Sequence, residues 1–279
     1  EALYVEVPGR GRLLVDVGGM LGEGFDVGQR VIAPFLWHEW VDRLDVLVLT
    51  HPQSDHIGGA PAVLRTFPVG EVWTGDSPAT SPMDVWIQEY LRHRRIPHRV
   101  VAAGDPPLRW GDAVVQVLHP GPTGADEVAR QSRRPLGPND RSVVLRVQFR
   151  DQAILLTGDL AREGEAALLR SGAPVKAQVL KVPHHGSRHS STEAFVRAVE
   201  PTTALLSVGH RNPFRHPPPE VLARYQATGA RLWRTDRHGA VQVEMRAGET
   251  RVRGRRDERD AEATRMMSEP DADGRATPK

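Results

Sequence analysis

The apolar positions along the chain alternate with a period of two in some stretches and follow helical spacing in others. Strands are predicted at residues 2–7, 12–17, 45–50, 71–74, 98–102, 113–118, 142–149, 152–157, 177–182, 203–208, 231–235 and 240–245. Helices are predicted at 28–41, 57–67, 81–95, 161–171, 191–199 and 218–228, with Pro82 and Pro219 in first turns. The adjacent strands of 2–17 and 142–157 predict antiparallel hairpins, which favours two sheets with helices outside over one doubly wound sheet.

Composition narrows the class of protein. The 279 residues are 39% hydrophobic and 26% charged, which is typical of a globular chain. No apolar run approaches the 18 or so residues that a membrane span needs. The chain contains no cysteine, which excludes disulfides and thiolate metal sites.

The two ends of the chain predict its domain organisation. The sequence begins at Glu1 without methionine, and a strand is predicted from residue 2, so we expect a fragment of a longer protein. Residues 1–246 are predicted to form one domain. Residues 247–279 carry almost no core-forming side chains and are predicted to be a disordered, charged tail.

Basic residues cluster although the formal net charge is only +2. One cluster is the stretch 92–99, "RHRRIPHR"; the other, Arg130, Arg133, Arg134 and Arg141, flanks or lies in a long polar connection between strands. Two interpretations stay open: a solvated surface, or a footprint for the phosphate backbone of a nucleic acid.

Residues of metal-ligand type collect where several predicted strands begin or end. They occur in "THPQSDHIGG" (50–59), "LLTGDL" (155–160), "LKVPHHGS" (180–187), "PNDRSVVL" (138–145) and "LLVDVGG" (13–19). Imidazole and carboxylate groups at such positions can converge on one ion, and the glycines allow close backbone approach. The joint arrangement predicts a metal site at one edge of the sheets.

Three of these motifs, "THPQSDHIGG", "LLTGDL" and "LKVPHHGS", resemble the metallo-β-lactamase fold superfamily. Together with "LLVDVGG", "NDRSVVL" and the dipeptide His216–Pro217, they resemble the C-terminal hydrolase domain of the ComEC-type DNA-uptake channels, over residues 1–245. That family usually carries a further strand-turn before "ALYVEV", which agrees with Glu1 being a cut end. The resemblance implies a four-layer αββα sandwich with a metal site at the edge between its two sheets.

The resemblance also implies metal ligands: His51, Asp55, His56 and Asp159, the last bridging two ions. One histidine of the pair at 184 and 185 completes the set, with His184 preferred and His185 as the alternative.

Two positions depart from the superfamily pattern. Gln53 replaces an imidazole, and Asn139, a weak ligand at best, falls where many members have a histidine. One good and one weakened site are therefore expected. Fewer imidazoles shift the preference from Zn²⁺ towards Mn²⁺, so one or two ions of either kind are predicted. The alternative is a degenerate, structural site.

Three residues are candidates for catalysis. Asp55 is expected to hold the attacking water and to accept its proton. Lys181 either neutralises a phosphoryl oxygen or is an ordinary lysine at a sheet edge. His216 either protonates the leaving oxygen or is a loop histidine.

Further residues are expected to support the site. Asp16 either orients a ligand imidazole or is a turn residue before glycines. Gln53 and Ser142 are expected beside the ligands or the substrate. Ser187 either binds phosphate or shapes the start of the helix near Thr192.

These features together predict a metal-dependent phosphodiesterase or nuclease that degrades one strand of DNA during uptake in natural transformation. The alternatives are a metallo-hydrolase of a small ester, thioester or lactam, and a non-catalytic module that binds DNA and gates the channel. The expected partners are single-stranded DNA and the membrane-channel portion of the same parent. That parent is expected in the inner membrane, with this domain on the non-cytoplasmic side and without a span of its own.

Overall fold

The computed structural model describes residues 1–19, 24–77, 81–122 and 136–257. A first sheet has the order β1-β2-β3-β4-β5, with only the β1–β2 pair antiparallel. Its strands are β1 (Leu3–Val7), β2 (Gly11–Val15), β3 (Leu44–Leu49), β4 (Val69–Thr74) and β5 (His98–Val100). The register Leu13↔Val46 and Val48↔Trp73 brings the carboxyl ends of β2, β3 and β4 to one edge.

A second, seven-stranded sheet contains the remaining large strands. They are β6 (Leu108–Trp110), β7 (Ala113–His119), β8 (Val144–Phe149), β9 (Gln152–Leu156), β10 (Val179–Lys181), β11 (Thr203–Leu206) and β12 (Arg231–Arg234). The order is β12-β11-β10-β9-β8-β7-β6, antiparallel from β6 to β9 and parallel from β9 to β12. The carboxyl ends of β9, β10 and β11 therefore share an edge.

The helices cover the outer faces of both sheets. They are α1 (Ala33–His38), α2 (Ser54–Ile57), α3 (Ala60–Thr66), α4 (Pro82–Arg94), α5 (Arg162–Arg170), α6 (Glu193–Val199), α7 (Pro219–Ala227) and α8 (Thr235–His238). A π-helical turn, Gly28–Ile32, precedes α1. The predicted start of α4 is confirmed: Ser81 Oγ accepts from the Asp84 N–H, and the Asp84 carboxylate accepts from the Ser81 N–H. Such a capping box stabilises a helix by about 1 kcal/mol.

Three apolar cores separate four layers, which confirms the expected αββα sandwich. The central core lies between the two sheets and includes Val48, Trp73, Val117 and Leu156. One outer core joins the first sheet to α1, α3 and α4, and the other joins the second sheet to α5, α6 and α7. Both sheets are thus covered on two faces, which explains why β3 and β9 are almost wholly apolar.

The prediction of a tail from residue 247 is wrong for its first part. Strand β14 (Glu249–Gly254) pairs antiparallel with β13 (Val241–Arg246) in a two-stranded sheet. Thr250 and Val252 alternate with arginines, so the strand period was present but too polar to be recognised. The expectation for residues 258–279, and the arginines at 130, 133 and 134, lie outside the described residues.

Within the described ranges, no helix has the length and apolar character needed to cross a bilayer.

Candidate metal centre

The predicted ligands lie at the edge where the two sheets meet, and the buried Asp16 holds the residues beneath them by hydrogen bonds. Asp16 follows β2 with a left-handed backbone (φ 58°) and is inaccessible to solvent. Its Oδ1 accepts from the Thr50 N–H at 2.8 Å, and its Oδ2 accepts from Thr50 Oγ1 at 2.8 Å and from His56 Nδ1 at 2.7 Å. The turn-residue alternative is therefore insufficient: Asp16 fixes the His56 ring with Nε2 facing the cleft.

Glycines allow the loop after β3 to lie against the turn after β2. A Cβ on Gly19 would stand 2.6 Å from Asp55 Cα, and one on Gly59 would stand 2.3 Å from the Val17 carbonyl oxygen. Both distances are too short for any side chain. The first turn of α2 is thereby held in the cleft, with Asp55 half-exposed and His56 fully buried.

Asp159 reaches the cleft from the end of β9. Its backbone N–H donates to Ser142 Oγ at 3.2 Å, which gives the fully buried Ser142 a positioning role. Asp159 Oδ1 lies 3.2 Å from His56 Nε2, and Oδ2 lies 3.5 Å from His185 Nε2. Burial would raise the pKa of Asp159, but the charges of His56, His185 and Lys181 outweigh it and hold that pKa well below its usual value.

His185, and not the preferred His184, completes this group. Both residues follow β10 in consecutive left-handed conformations (φ 51° and 52°). His185 Nδ1 donates to the Ser207 carbonyl oxygen at 2.8 Å, so Nε2 carries the lone pair and lies 3.4 Å from Asp55 Oδ2. His184 Nε2 lies 3.3 Å from Asn139 Nδ2 and 3.7 Å from Asp159 Oδ2. The grouping thus favours His185 over the preferred His184, and which of the two histidines binds the ion stays a prediction.

Asp55, His56, Asp159 and His185, which we call the metal cluster, bring one ligand atom each within 4.8 Å of one another. His56 Nε2, Asp159 Oδ1 and His185 Nε2 are buried and have no hydrogen-bond partner among the described residues. Buried polar atoms are rarely left unpaired, and two imidazoles with two carboxylates are a donor set for a divalent ion. The residues present therefore fit a metal.

The charges around His56 favour a cation at Nε2. Burial opposes a charged imidazole, but Asp16 and Asp159 outweigh that cost and raise the pKa of His56 to about 10. The same two carboxylates stabilise a metal ion at that atom, so an ion and a proton compete for it.

A second group, which we call the amide chain, lies beside the metal cluster: His51, Gln53, Asn139 and His184. Gln53 Nε2 donates to Asn139 Oδ1 at 2.6 Å, and His51 Nε2 lies 3.2 Å from Gln53 Oε1. The rings of His51 and His56 are 4.2 Å apart. The structure thus brings His51, Gln53 and Asn139, which belong to the expected weakened site, together as a hydrogen-bonded chain. Ligation by His51 or Asn139 stays a prediction.

Lys181 does not face the cleft, which contradicts its expected contact with a phosphoryl oxygen. The side chain is 1% exposed, and Nζ donates to the Gly158 carbonyl oxygen at 2.7 Å. Nζ also lies 2.5 Å from Glu1 Oε2 and 3.8 Å from Asp159 Oδ1. Its positive charge therefore stabilises the ionised carboxylate of Asp159 from within the fold. Glu1 was missed because a single glutamate before a predicted strand gives no sequence signal for burial.

Two other predicted residues lie near the cleft without an evident chemical role. Ser187 is buried, and its Oγ accepts from the His189 N–H at 3.3 Å, so it shapes the loop and does not face a phosphate. The ring of His216 is 6.2 Å from that of His184. Burial and the positive charges of the neighbouring histidines lower the pKa of His216, which leaves it neutral at pH 7 and weighs against a general acid.

Comparisons with known proteins agree with this geometry. The sequence pattern of the Metallo-beta-lactamase superfamily matches residues 2–210. ComE operon protein 3 of Bacillus subtilis (strain 168) is 33% identical over 253 residues, covering 87% of this chain and 31% of that protein. Competence protein ComA of Neisseria gonorrhoeae is 34% identical over 230 residues, covering 80% and 29%. The chain therefore spans about a third of the length of these relatives.

Among solved structures, Zn²⁺-bound PqqB from Methylobacterium extorquens superposes with a TM-score of 0.52 at 12% identity. The superposition covers 84% of this chain and 85% of that one. At such low identity the likeness shows the fold alone, and it confirms the αββα architecture.

Proposed function

The chain belongs to the metallo-β-lactamase superfamily, and we propose that it is a divalent-metal-dependent phosphodiesterase that cuts DNA. The superfamily is one of metal-dependent hydrolases. The observation that carries the proposal is the convergence of the four metal-cluster residues, with three ligand atoms buried and unpaired. When bound, a divalent ion supplies a water of lowered pKa and stabilises negative charge on a phosphoryl group.

The protein residues around the ion have distinct tasks in this proposal. Asp159, held by Ser142 and Lys181, keeps two carboxylate oxygens fixed between His56 and His185. Asp16 holds the His56 ring so that Nε2 faces the cleft. Preorganised ligands of this kind avoid reorganisation during the reaction.

Asp55 is suited to orient the attacking water. Its side chain is 56% exposed, the most exposed of the metal cluster. Burial would raise the pKa of Asp55, but the neighbouring His185 and His56 rings outweigh it and lower that pKa well below the usual value. An ionised carboxylate at the mouth of the cleft accepts a hydrogen bond from water and so aims its oxygen at the phosphorus.

DNA is the proposed substrate because one similar protein, of N. gonorrhoeae, is named a competence protein, and a second, of B. subtilis, is named for the ComE operon. The proposed ion is a harder one such as Mn²⁺, because the amide chain leaves the cleft poorer in imidazole than a full two-zinc site. We propose that the domain degrades one strand during DNA uptake, on the non-cytoplasmic side of a membrane-channel parent.

Cleavage of end-labelled single-stranded DNA tests the proposal, with Mn²⁺, Zn²⁺ or EDTA present. Asp55→Ala is the test variant, and Asp151→Ala, an exposed aspartate in the β8–β9 turn, is the matched control. We expect metal-dependent cutting that Asp55→Ala removes and Asp151→Ala retains. DNA binding in EDTA without cutting by any ion would favour the binding and gating module instead.

A further inference from the structure

A cavity adjoins the metal cluster on the side of His51. Its empty volume is about 470 Å³, counting the space that is open to solvent at its mouth. The cavity lies at the carboxyl ends of β3 and β4, and α4 forms its outer wall. Ligands of open parallel sheets bind at the carboxyl ends of the strands, so this is an expected place for part of a substrate.

Much of the cavity wall is apolar. Leu49 comes from the end of β3, Ile57 from α2, and Ile87 and Leu91 from α4. Ile57, Ile87 and Leu91 are 2%, 3% and 2% exposed, so they are rigidly held and only a small part of each side chain reaches the cavity. An uncharged ring in the cavity is stabilised where it covers that apolar surface and is removed from water.

Polar groups complete the lining and can form hydrogen bonds with the edge of such a ring. Thr74 Oγ1 and His98 Nε2 are 2.9 Å apart, and Gln88 is an exposed amide on α4. Ser77 Oγ is buried and has no hydrogen-bond partner among the described residues. The cavity therefore offers both hydrogen-bond donors and acceptors beside its apolar wall.

The charges of the lining exclude a phosphate from the cavity itself. No lysine or arginine of the described ranges lines it, and Asp84 adds a negative charge. Burial also lowers the pKa of His98, which disfavours a positive charge on that ring. The occupant that this lining suits is neutral, ring-shaped and polar at its edge.

His51 joins the cavity to the reaction centre. Its ring lines the cavity and lies 4.2 Å from the ring of His56 in the metal cluster. An occupant that touches His51 therefore lies close to the bond that is hydrolysed. If the substrate is DNA, the deoxyribose is bonded to the reacting phosphodiester and carries the nucleobase, and the flat ring with polar groups at its edge is the nucleobase.

We propose that this cavity binds one unstacked nucleobase of the DNA strand while an adjoining phosphodiester lies at the metal cluster. The inference rests on the proposed function and extends it: the cleft takes single-stranded DNA because a paired base cannot enter the cavity. Enzymes that act on single strands commonly hold an unstacked base in a pocket of this kind.

The test compares two single-stranded oligonucleotides that differ at one position, where one carries a base and the other an abasic tetrahydrofuran residue. Gln88→Trp places a large side chain at the mouth of the cavity. Val85→Trp is the matched control, because Val85 is exposed on the same helix but does not line the cavity. Cleavage is mapped at both bonds that flank the position, with Mn²⁺ present, and melting curves check that each variant is folded.

The wild-type protein should cut one flanking bond roughly tenfold more slowly when the base is missing, a typical loss for one bound base. Gln88→Trp should slow cutting of the intact strand by a similar factor and remove the difference between the strands. Val85→Trp should behave as the wild type. Equal rates at the abasic and intact positions in the wild-type protein would overturn the base pocket while leaving the nuclease standing.

Binding separates the two proposals if no strand is cut. Thymidine 5′-monophosphate and 2-deoxyribose 5-phosphate are titrated calorimetrically into the Mn²⁺-loaded protein. A preference for the nucleotide of about tenfold, lost in Gln88→Trp, supports the cavity even if the nuclease proposal fails. Equal affinities for the two ligands refute the cavity.

Discussion

The metal cluster and the amide chain lie side by side in one cleft, yet they differ in how many of their polar atoms have hydrogen-bond partners. In the metal cluster, His56 Nε2, Asp159 Oδ1 and His185 Nε2 are buried without hydrogen-bond partners. In the amide chain, Gln53 and Asn139 hydrogen-bond to each other and extend towards a histidine on either side. An ion offsets the three unpaired atoms of the metal cluster, whereas the amide chain, in which His184 Nδ1 alone is buried without a partner among the described residues, is largely stabilised by its own hydrogen bonds. The principal ion is therefore expected at the metal cluster.

Removal of the shared carboxylate should have the largest effect. Asp159→Asn preserves the shape of the side chain but removes the charge that faces His56 and His185. We expect DNA cleavage to fall by roughly a thousandfold or more, about 4 kcal/mol of transition-state stabilisation. Cleavage assays measure the loss of activity, and calorimetric titration measures the accompanying loss of metal affinity. Asp151→Asn, at an exposed position, is the control.

Asp16→Asn should have an intermediate effect, because Asp16 acts through His56 and does not face the ion. Loss of a carboxylate behind a ligand histidine typically weakens metal affinity by roughly 10–100-fold. Calorimetric titration with Mn²⁺ measures this change. An unchanged affinity in a correctly folded variant would show that the bond between Asp16 and His56 does not prepare the ligand.

Gln53→His tests whether the amide chain is a weakened metal position. The new imidazole would disrupt the hydrogen bond to Asn139 and add a nitrogen ligand beside His51. We expect a second Zn²⁺ to bind roughly tenfold more tightly than in the wild type. Gln53→Leu, which removes the hydrogen bond without adding a ligand, is the control. If both variants bind the same number of ions as the wild type, the amide chain is purely structural.

Metal binding should release a proton, which is the smallest of the expected effects. The pKa of His56 is about 10, so its imidazole is protonated at pH 7.5 before an ion takes Nε2. Binding should therefore release about one proton per ion, and affinity should increase as the pH rises towards 10. Calorimetry in two buffers of different ionisation enthalpy counts the protons. Asp16→Asn should release fewer, because a less stabilised imidazolium loses its proton at lower pH.

Periodicity predicted most of the fold because the principal strands are buried on both faces and read as unbroken apolar runs, as in β3 and β9. It missed β6, which has three residues, and β14, whose outward positions carry arginines. Short or solvent-exposed strands have too few apolar residues for the pattern to distinguish them from loops.

The motifs predicted which strand ends would meet, but not how individual side chains would point. Asp55, His56 and Asp159 lie together as their spacing indicated. The choice between His184 and His185 depended on two consecutive left-handed residues, which no spacing rule foresees. The burial of Lys181 depended on Glu1, which is distant in sequence. Long-range contacts of this kind emerge only when the chain is folded.

Anomalous scattering from a crystal grown with Mn²⁺ would show whether the metal cluster binds the ion, because it locates the ion without reference to activity. We expect a peak roughly 2.0–2.3 Å from ligand atoms of Asp55, His56, Asp159 and His185. A peak held by His51, Gln53 and Asn139 alone, or no peak in the cleft at all, would contradict it.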